Sequence, residues 1–166
     1  MEFKSQICTT REQSQRLLSL GLKPETADMV YHFTNSRTEA MQWELKTKPP
    51  TLRGESWTKE RIARLARRGE SGEEVFDRIW GKDIPAWSLS RLLGLLPKCI
   101  EQFDEPDTNL EIESYEKCWW VGYREDKPDD ICDCLYSVKG SELFEACISM
   151  IKILIKNNYF NRDYLQ

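Results

Sequence analysis

The stretch from Ser141 to Asn158, SELFEACISMIKILIKNN, constrains this chain more than any other. Phe144, Cys147, Ile148, Ile151, Leu154 and Ile155 recur at offsets of three and four, so a helix gathers them on one face. Ser141 is placed to act as N-cap, and Glu142 and Glu145 fall in the first turn, where the helix dipole favours negative charge. Lys152, Lys156 and the closing Asn157 and Asn158 suit the exposed side and the C-terminus. So wide an apolar stripe has to be covered by another layer, and the residues before it have the composition to make a sheet.

That sheet reads as an antiparallel meander. Leu110 to Ser114 alternates apolar and polar residues, with Leu110 and Ile112 on one face. Lys117 to Arg124 puts Cys118, Trp120 and Gly122 on one face and Trp119, Val121 and Tyr123 on the other. Arg124 to Asp130, with Pro128, reads as a turn, and Ile131 to Val138 as the third strand.

Upstream, Thr9-Thr10-Arg11-Glu12 predicts a capping box with Thr9 as N-cap and Glu12 three residues on. Its helix should run to about Leu20, with Leu17, Leu18 and Leu20 on the apolar side and Gly21 as the stop. Pro24 opens a second short helix through Ala27, Met29 and Val30. One short strand, Ala40 to Leu45, fits the looser pattern that follows. Pro49-Pro50 then breaks the chain.

Thr58 caps a helix ending near Arg68, with Gly69 as its stop. Ser71-Gly72-Glu73-Glu74 is a second capping box, opening a helix with Val75, Phe76, Ile79 and Trp80 and ending at Gly81. Lys46 to Gly81 therefore reads as a helical pair inserted in a single domain. Ile84 to Trp87 is extended, because a residue before proline avoids the helical region. Ser88 caps a leucine-rich helix, Leu89 to Leu96, that is too apolar for a free surface. Glu101 to Asn109 reads as an acidic loop.

With 166 residues the chain is long enough for a core without staples. A net charge of −4 argues against a protein that coats nucleic acid or anionic membrane over its whole surface. No apolar run approaches the ~20 residues of a membrane span, and MEFKSQICTTREQ has no apolar h-region, so no export signal is expected. The six cysteines, at 8, 99, 118, 132, 134 and 147, are then expected as reduced cytoplasmic thiols.

Four groups of residues bear on chemistry. Lys46 to Arg68 holds eight positive and two negative residues, a net of +6 that leaves −10 for the rest. On a helix, Lys59, Arg61, Arg64, Arg67 and Arg68 form a basic surface, with Ile62, Leu65 and Ala66 opposite. Such a stripe, with Trp57 nearby to stack on a base, can neutralise phosphates of DNA or RNA. The plainer reading is that its arginines pair with the acidic remainder or with a protein partner. Cys132-x-Cys134 lacks the tight-turn spacing of a structural zinc site, so no metal is expected, although contact of Cys118 with either thiol is open. His32 is the only histidine and carries no motif, and all eight glycines fit stops, turns or strands, so no catalytic residues and no cofactor are expected. Trp119, Tyr123 and Tyr136 make an exposed interaction patch if their sheet face is bare, unless the leucine-rich helix covers it. An enzyme reading would need a deep pocket holding His32 with several carboxylates.

Three stretches, TTREQSQRLLSLGLKPETADM, IPAWSLSRLLGLLP and EACISMIKILIKNNYF, resemble one group of sequences. The group consists of small uncharacterised proteins encoded in phage-like and mobile elements of Bacteroides-group bacteria. The resemblance does not extend over Lys46 to Gly81 and carries no catalytic or binding residues. It implies a bacterial cytoplasmic setting, an α+β fold and an accessory role.

The expected fold is α+β: a small antiparallel sheet packed by the C-terminal and leucine-rich helices, flanked by the N-terminal helix. The expected function is a non-enzymatic accessory or protein-interaction role, with an unknown protein partner or a second copy of the chain. Nucleic-acid binding through the basic helix is the alternative.

Overall fold

The computed structural model describes residues 6–34, 43–48, 59–101, 107–125 and 134–166. The fold is α+β, with five helices and two antiparallel sheets among the described residues. The chain divides into two compact units, Met1–Ser88 and Leu89–Gln166.

The first unit contains α1 (Arg11–Ser19), β1 (Met29–Phe33), β2 (Trp43–Thr47), α2 (Lys59–Leu65), α3 (Gly72–Trp80) and β3 (Ile84–Ala86). Its sheet has the order β2-β1-β3. Tyr31 pairs with Leu45 on one side and Ile84 on the other, and Val30 with Lys46 and Pro85. This second sheet was not foreseen. Pro24 does start a turn, but Pro24–Thr26 is a single 3-10 turn, and Ala27 is already extended with ψ 145°. Met29 and Val30, expected in that helix, instead begin the central strand Met29–Phe33. β-Branched and aromatic residues flanked by two strands favour the sheet over the weak local helical signal. Of the expected strand from Ala40 to Leu45, residues 43–45 lie in β2 and 40–42 lie outside the described residues.

The first capping box is shifted by one residue. Thr10 is the N-cap, accepting the Gln13 N–H at 3.2 Å, while Gln13 Oε1 accepts the Thr10 N–H at 2.8 Å. Thr9 is engaged elsewhere. Its hydroxyl accepts the Trp87 N–H at 3.0 Å and meets Ser14 Oγ at 2.8 Å, and its own N–H donates to the Trp87 carbonyl at 2.9 Å. Trp87 is fully buried and donates its indole N–H to Thr26 Oγ1 at 2.9 Å. These bonds tie both ends of the unit together through groups that would be costly to leave unpaired. Gly21, at φ +90°, ends α1 as expected.

Ser71 caps α3 as expected, accepting the Glu74 N–H while Glu74 accepts the Ser71 N–H at 2.7 Å. The helical pair is present, but it does not begin at Lys46, which lies in β2 with Thr47.

The second unit contains α4 (Leu89–Leu95), β4 (Cys99–Ile100), β5 (Thr108–Tyr115), β6 (Cys118–Glu125), β7 (Cys134–Gly140) and α5 (Leu143–Lys156). Its sheet runs β4-β5-β6-β7, so the meander continues from a short leading strand. α5 packs on β6 and β7, and α4 packs on α5. Phe144, Cys147, Ile148, Ile151 and Leu154 are all buried, as the stripe required. Glu142, not Ser141, stands at the N-cap of α5 and makes no side-chain cap bond. Asn158, at φ 62°, turns the chain out of α5, a position asparagine tolerates.

Candidate functional site

A groove of about 410 Å³ opens in the first unit, on the sheet face that carries Val30 and Pro85. That volume falls in the ~300–1,000 Å³ range of ligand pockets. One wall is α3, whose apolar side is split by the helix period. Val75 is buried in the core, whereas Phe76 and Trp80, one turn apart, line the groove. Phe76 remains 38% exposed, and its ring lies 5.8 Å from that of Trp80. Gly81 ends the helix and lets the chain turn down to Asp83 and Pro85. The opposite rim comes from Leu18, Pro24 and Glu25.

Lys48 lies in the wall and is only 6% exposed. A buried ammonium needs a partner. Its Nζ donates to the Pro24 carbonyl at 2.5 Å, and its backbone N–H donates to the Asp28 carbonyl at 2.8 Å. Both bonds hold the rim to the end of β2.

α3 is itself clamped to α2. Arg78 donates from Nε to Glu70 Oε1 at 2.6 Å, and from a terminal nitrogen to Glu70 Oε2 and to the Leu65 carbonyl, each at 2.8 Å. Glu70 Oε2 also accepts the Arg67 N–H at 2.8 Å. Arg78 and that backbone donor hold the Glu70 carboxyl down at about 2.

His32 and Asp83 meet at the groove's end. His32 Nδ1 lies 2.9 and 3.0 Å from the two Asp83 oxygens, and Asp83 Oδ1 also accepts the Phe33 N–H at 3.0 Å. Such a carboxylate fixes the orientation of an imidazole. Asp83 lines the groove together with Glu25 and Asp77, so three carboxylates are there, with His32 touching one of them from behind. Among the described residues, no hydroxyl or thiol hydrogen-bonds the His32 ring, so the pair lacks the adjoining nucleophile of a catalytic triad. What the pair does here is join the end of β1 to the turn before β3.

The expected basic stripe is arranged differently. α2 ends at Leu65, so Arg67 and Arg68 lie beyond it, in the turn that Gly69 closes at φ +83°. Arg64, Arg67 and Arg68 are exposed, with Arg64 beside a hollow of about 230 Å³ shared with Arg61 and Leu65. Arg61 is turned inward, its guanidinium 5.9 Å from the Trp80 ring centre. The side chain of Lys59, and Trp57 as a whole, lie outside the described residues.

The expected patch of Trp119, Tyr123 and Tyr136 is not exposed as a unit. Tyr123 is 0% exposed and donates its hydroxyl to the Pro97 carbonyl at 2.8 Å. α5 covers that face of β6, and burial raises the Tyr123 phenol far above its ordinary value. Tyr136 pairs opposite Tyr123 and packs against Tyr159 at 6.0 Å, and Trp119 is half-buried. The other face carries Trp120, whose indole lies across Gly122 with the Arg124 guanidinium 4.6 Å from its centre. Arg124 in turn reaches Glu111 at 2.8 Å and Glu113 at 3.3 Å.

Cys134 pairs with Arg124, at the far end of β6 from Cys118, so those two thiols cannot meet. Cys132 lies outside the described residues. Among the described residues, no group of three or more His, Cys, Asp and Glu side chains converges to hold a metal. No helix among them is long and apolar enough to cross a membrane.

The groove itself was missed by sequence reasoning. Its legible signal was Phe76 and Trp80 four residues apart in a capped helix that also offered Val75 and Ile79 to a core. The convergence of Pro24, Lys48 and Pro85 has no local signal. No family model, no curated protein and no solved structure matches the chain.

Proposed function

We propose that the protein is a non-enzymatic accessory that binds a protein partner, and that the groove of the first unit receives that partner. One observation carries the reading: Phe76, 38% exposed, and Trp80 form an aromatic wall across the groove from Leu18, Pro24 and Glu25. Interfaces concentrate their energy in such aromatic positions. The three stretches that resemble phage-like and mobile-element proteins support a cytoplasmic accessory role in such an element.

The test is affinity capture from a Bacteroides-group lysate, using the wild-type chain and a Phe76→Ser variant of verified fold. The wild type should retain a defined protein in near-stoichiometric amount, and the variant at least tenfold less, as for an interface aromatic. Equal retention by both, or none by either, removes the groove from consideration.

A second reading, nucleic-acid binding, is favoured by the exposure of Arg64 in the last turn of α2 and of Arg67 and Arg68 just beyond it. It requires salt-sensitive binding of DNA or RNA that disappears when those three become Glu. Arg61 is left unchanged in that variant because it packs on Trp80.

A further inference from the structure

We propose that the groove of the first unit selects a cationic side chain, Lys or Arg, carried next to an apolar residue in the partner. This rests on the reading of the groove as a partner site and names the chemistry it takes.

The charges on its lining are unequal. Glu25, Asp77 and Asp83 stand against one ammonium, Lys48. The Lys48 ammonium is engaged by the Pro24 carbonyl, and the Asp83 oxygens by His32 and the Phe33 N–H. Glu25 and Asp77 remain. Both are exposed, and among the described residues neither side chain has a hydrogen-bond or ion-pair partner. An occupant that covers them with apolar atoms alone strips two carboxylates of water and returns nothing. An occupant that brings an ammonium or guanidinium replaces that water with charge-assisted bonds.

The aromatic wall points the same way. Trp80 already carries one guanidinium, that of Arg61, over its ring. Arg61 is not among the residues that line the groove. The faces of Phe76 and Trp80 are electron-rich and attract cations, while their bodies accept apolar stems. Lysine and arginine have both parts, a long apolar stem and a charged head. Phosphates and acidic peptides are repelled by the same two carboxylates. The groove is therefore unsuited to a nucleic-acid backbone, whatever the exposed arginines of the α2–α3 turn do.

A random peptide library displayed on phage tests this. It is panned on the full-length chain at physiological salt, with parallel selections on a Glu25→Gln/Asp77→Asn double variant and on Phe76→Ser. All three positions are exposed, and far-UV circular dichroism checks each fold. The wild type should enrich peptides that share a Lys or Arg beside an apolar residue. Synthesised peptides from that pool should bind at least tenfold more weakly to the double variant, and their binding to the wild type should weaken in high salt. Enrichment of acidic or uncharged peptides that depend on Phe76 but not on Glu25 and Asp77 overturns the cation proposal and leaves the interaction reading standing. Cationic peptides indifferent to both variants also overturn it, because they bind elsewhere. No enrichment over the Phe76→Ser control overturns both.

Discussion

Gly122 is hemmed in by its neighbours. A Cβ built there lies 2.4 Å from Cζ2 and Cη2 of Trp120 and 2.9 Å from the Tyr136 carbonyl oxygen. The indole can swing away, but the carbonyl belongs to the neighbouring strand and cannot. In Gly122→Ala, Trp120, now 6% exposed, must leave its seat and loosen the Arg124 guanidinium 4.6 Å from its centre. Overpacking of this kind costs about 1–3 kcal/mol, and a cation–π contact whose guanidinium is still part-exposed is worth about 0.5–1 kcal/mol. Alanine in place of glycine within a strand returns roughly 0.5–1 kcal/mol. The last two offset, leaving a net loss of about 1–3 kcal/mol. For a chain of 166 residues, each kcal/mol moves Tm by ~2–4 °C. Scanning calorimetry should therefore show a fall of at least ~2 °C. The assignment to Trp120 is checked by a double-mutant cycle. Gly122→Ala should cost clearly less when Trp120 is already alanine. An equal cost in both backgrounds refutes the argument that the indole on the glycine is the cause.

Three further outcomes follow from the packing. Thr9→Val removes the acceptor of the buried Trp87 N–H at 3.0 Å, so urea denaturation should show a loss of about 1–3 kcal/mol. A change within error would mean that another acceptor takes over. Burial pushes the Cys147 thiol up to about 12. A group whose folded value is raised contributes stability below its unfolded value and loses it as pH rises. Stability should thus decline from about pH 9 towards 12, with a shallower slope in Cys147→Ala. Glu70 is the opposite case. Its carboxyl is held at about 2, so its clasp with Arg78 contributes above the ordinary carboxylate range and is lost as pH falls through about 2. The Arg78 Nε–H resonance should stay protected from exchange down to that point, and early loss near pH 4 to 5 would contradict the geometry.

The C-terminal half was legible because its signals are periodic and local. The stripe from Phe144 to Leu154 and the alternation in β5 and β6 both specify neighbours in sequence. The first sheet was not legible, because β1 is central only through strands far from it in sequence. Its helix-like neighbours, Pro24 and Thr26, read as a helix start until Ala27 turns extended. Thr9 and Thr10 show the same limit at one residue. Either can cap α1, and the choice falls to Thr10 because Trp87, 78 residues away, takes the Thr9 hydroxyl. Whether the face around Tyr123 is covered was left open for a related reason. Period two assigned the faces correctly, but nothing local says which face α5 covers. The groove was the least legible part, since α3, β1, β3 and the Pro24 turn each supply only a few residues to it.

The most direct measurement is hydrogen–deuterium exchange of the full chain, free and bound to the protein it captures. A partner seated in the groove should slow exchange in peptides covering the Pro24–Thr26 turn and α3. Protection confined to the second unit, around Leu95–Pro97 and Tyr159–Tyr164, or no protection in a stable complex, would contradict the groove as the binding site.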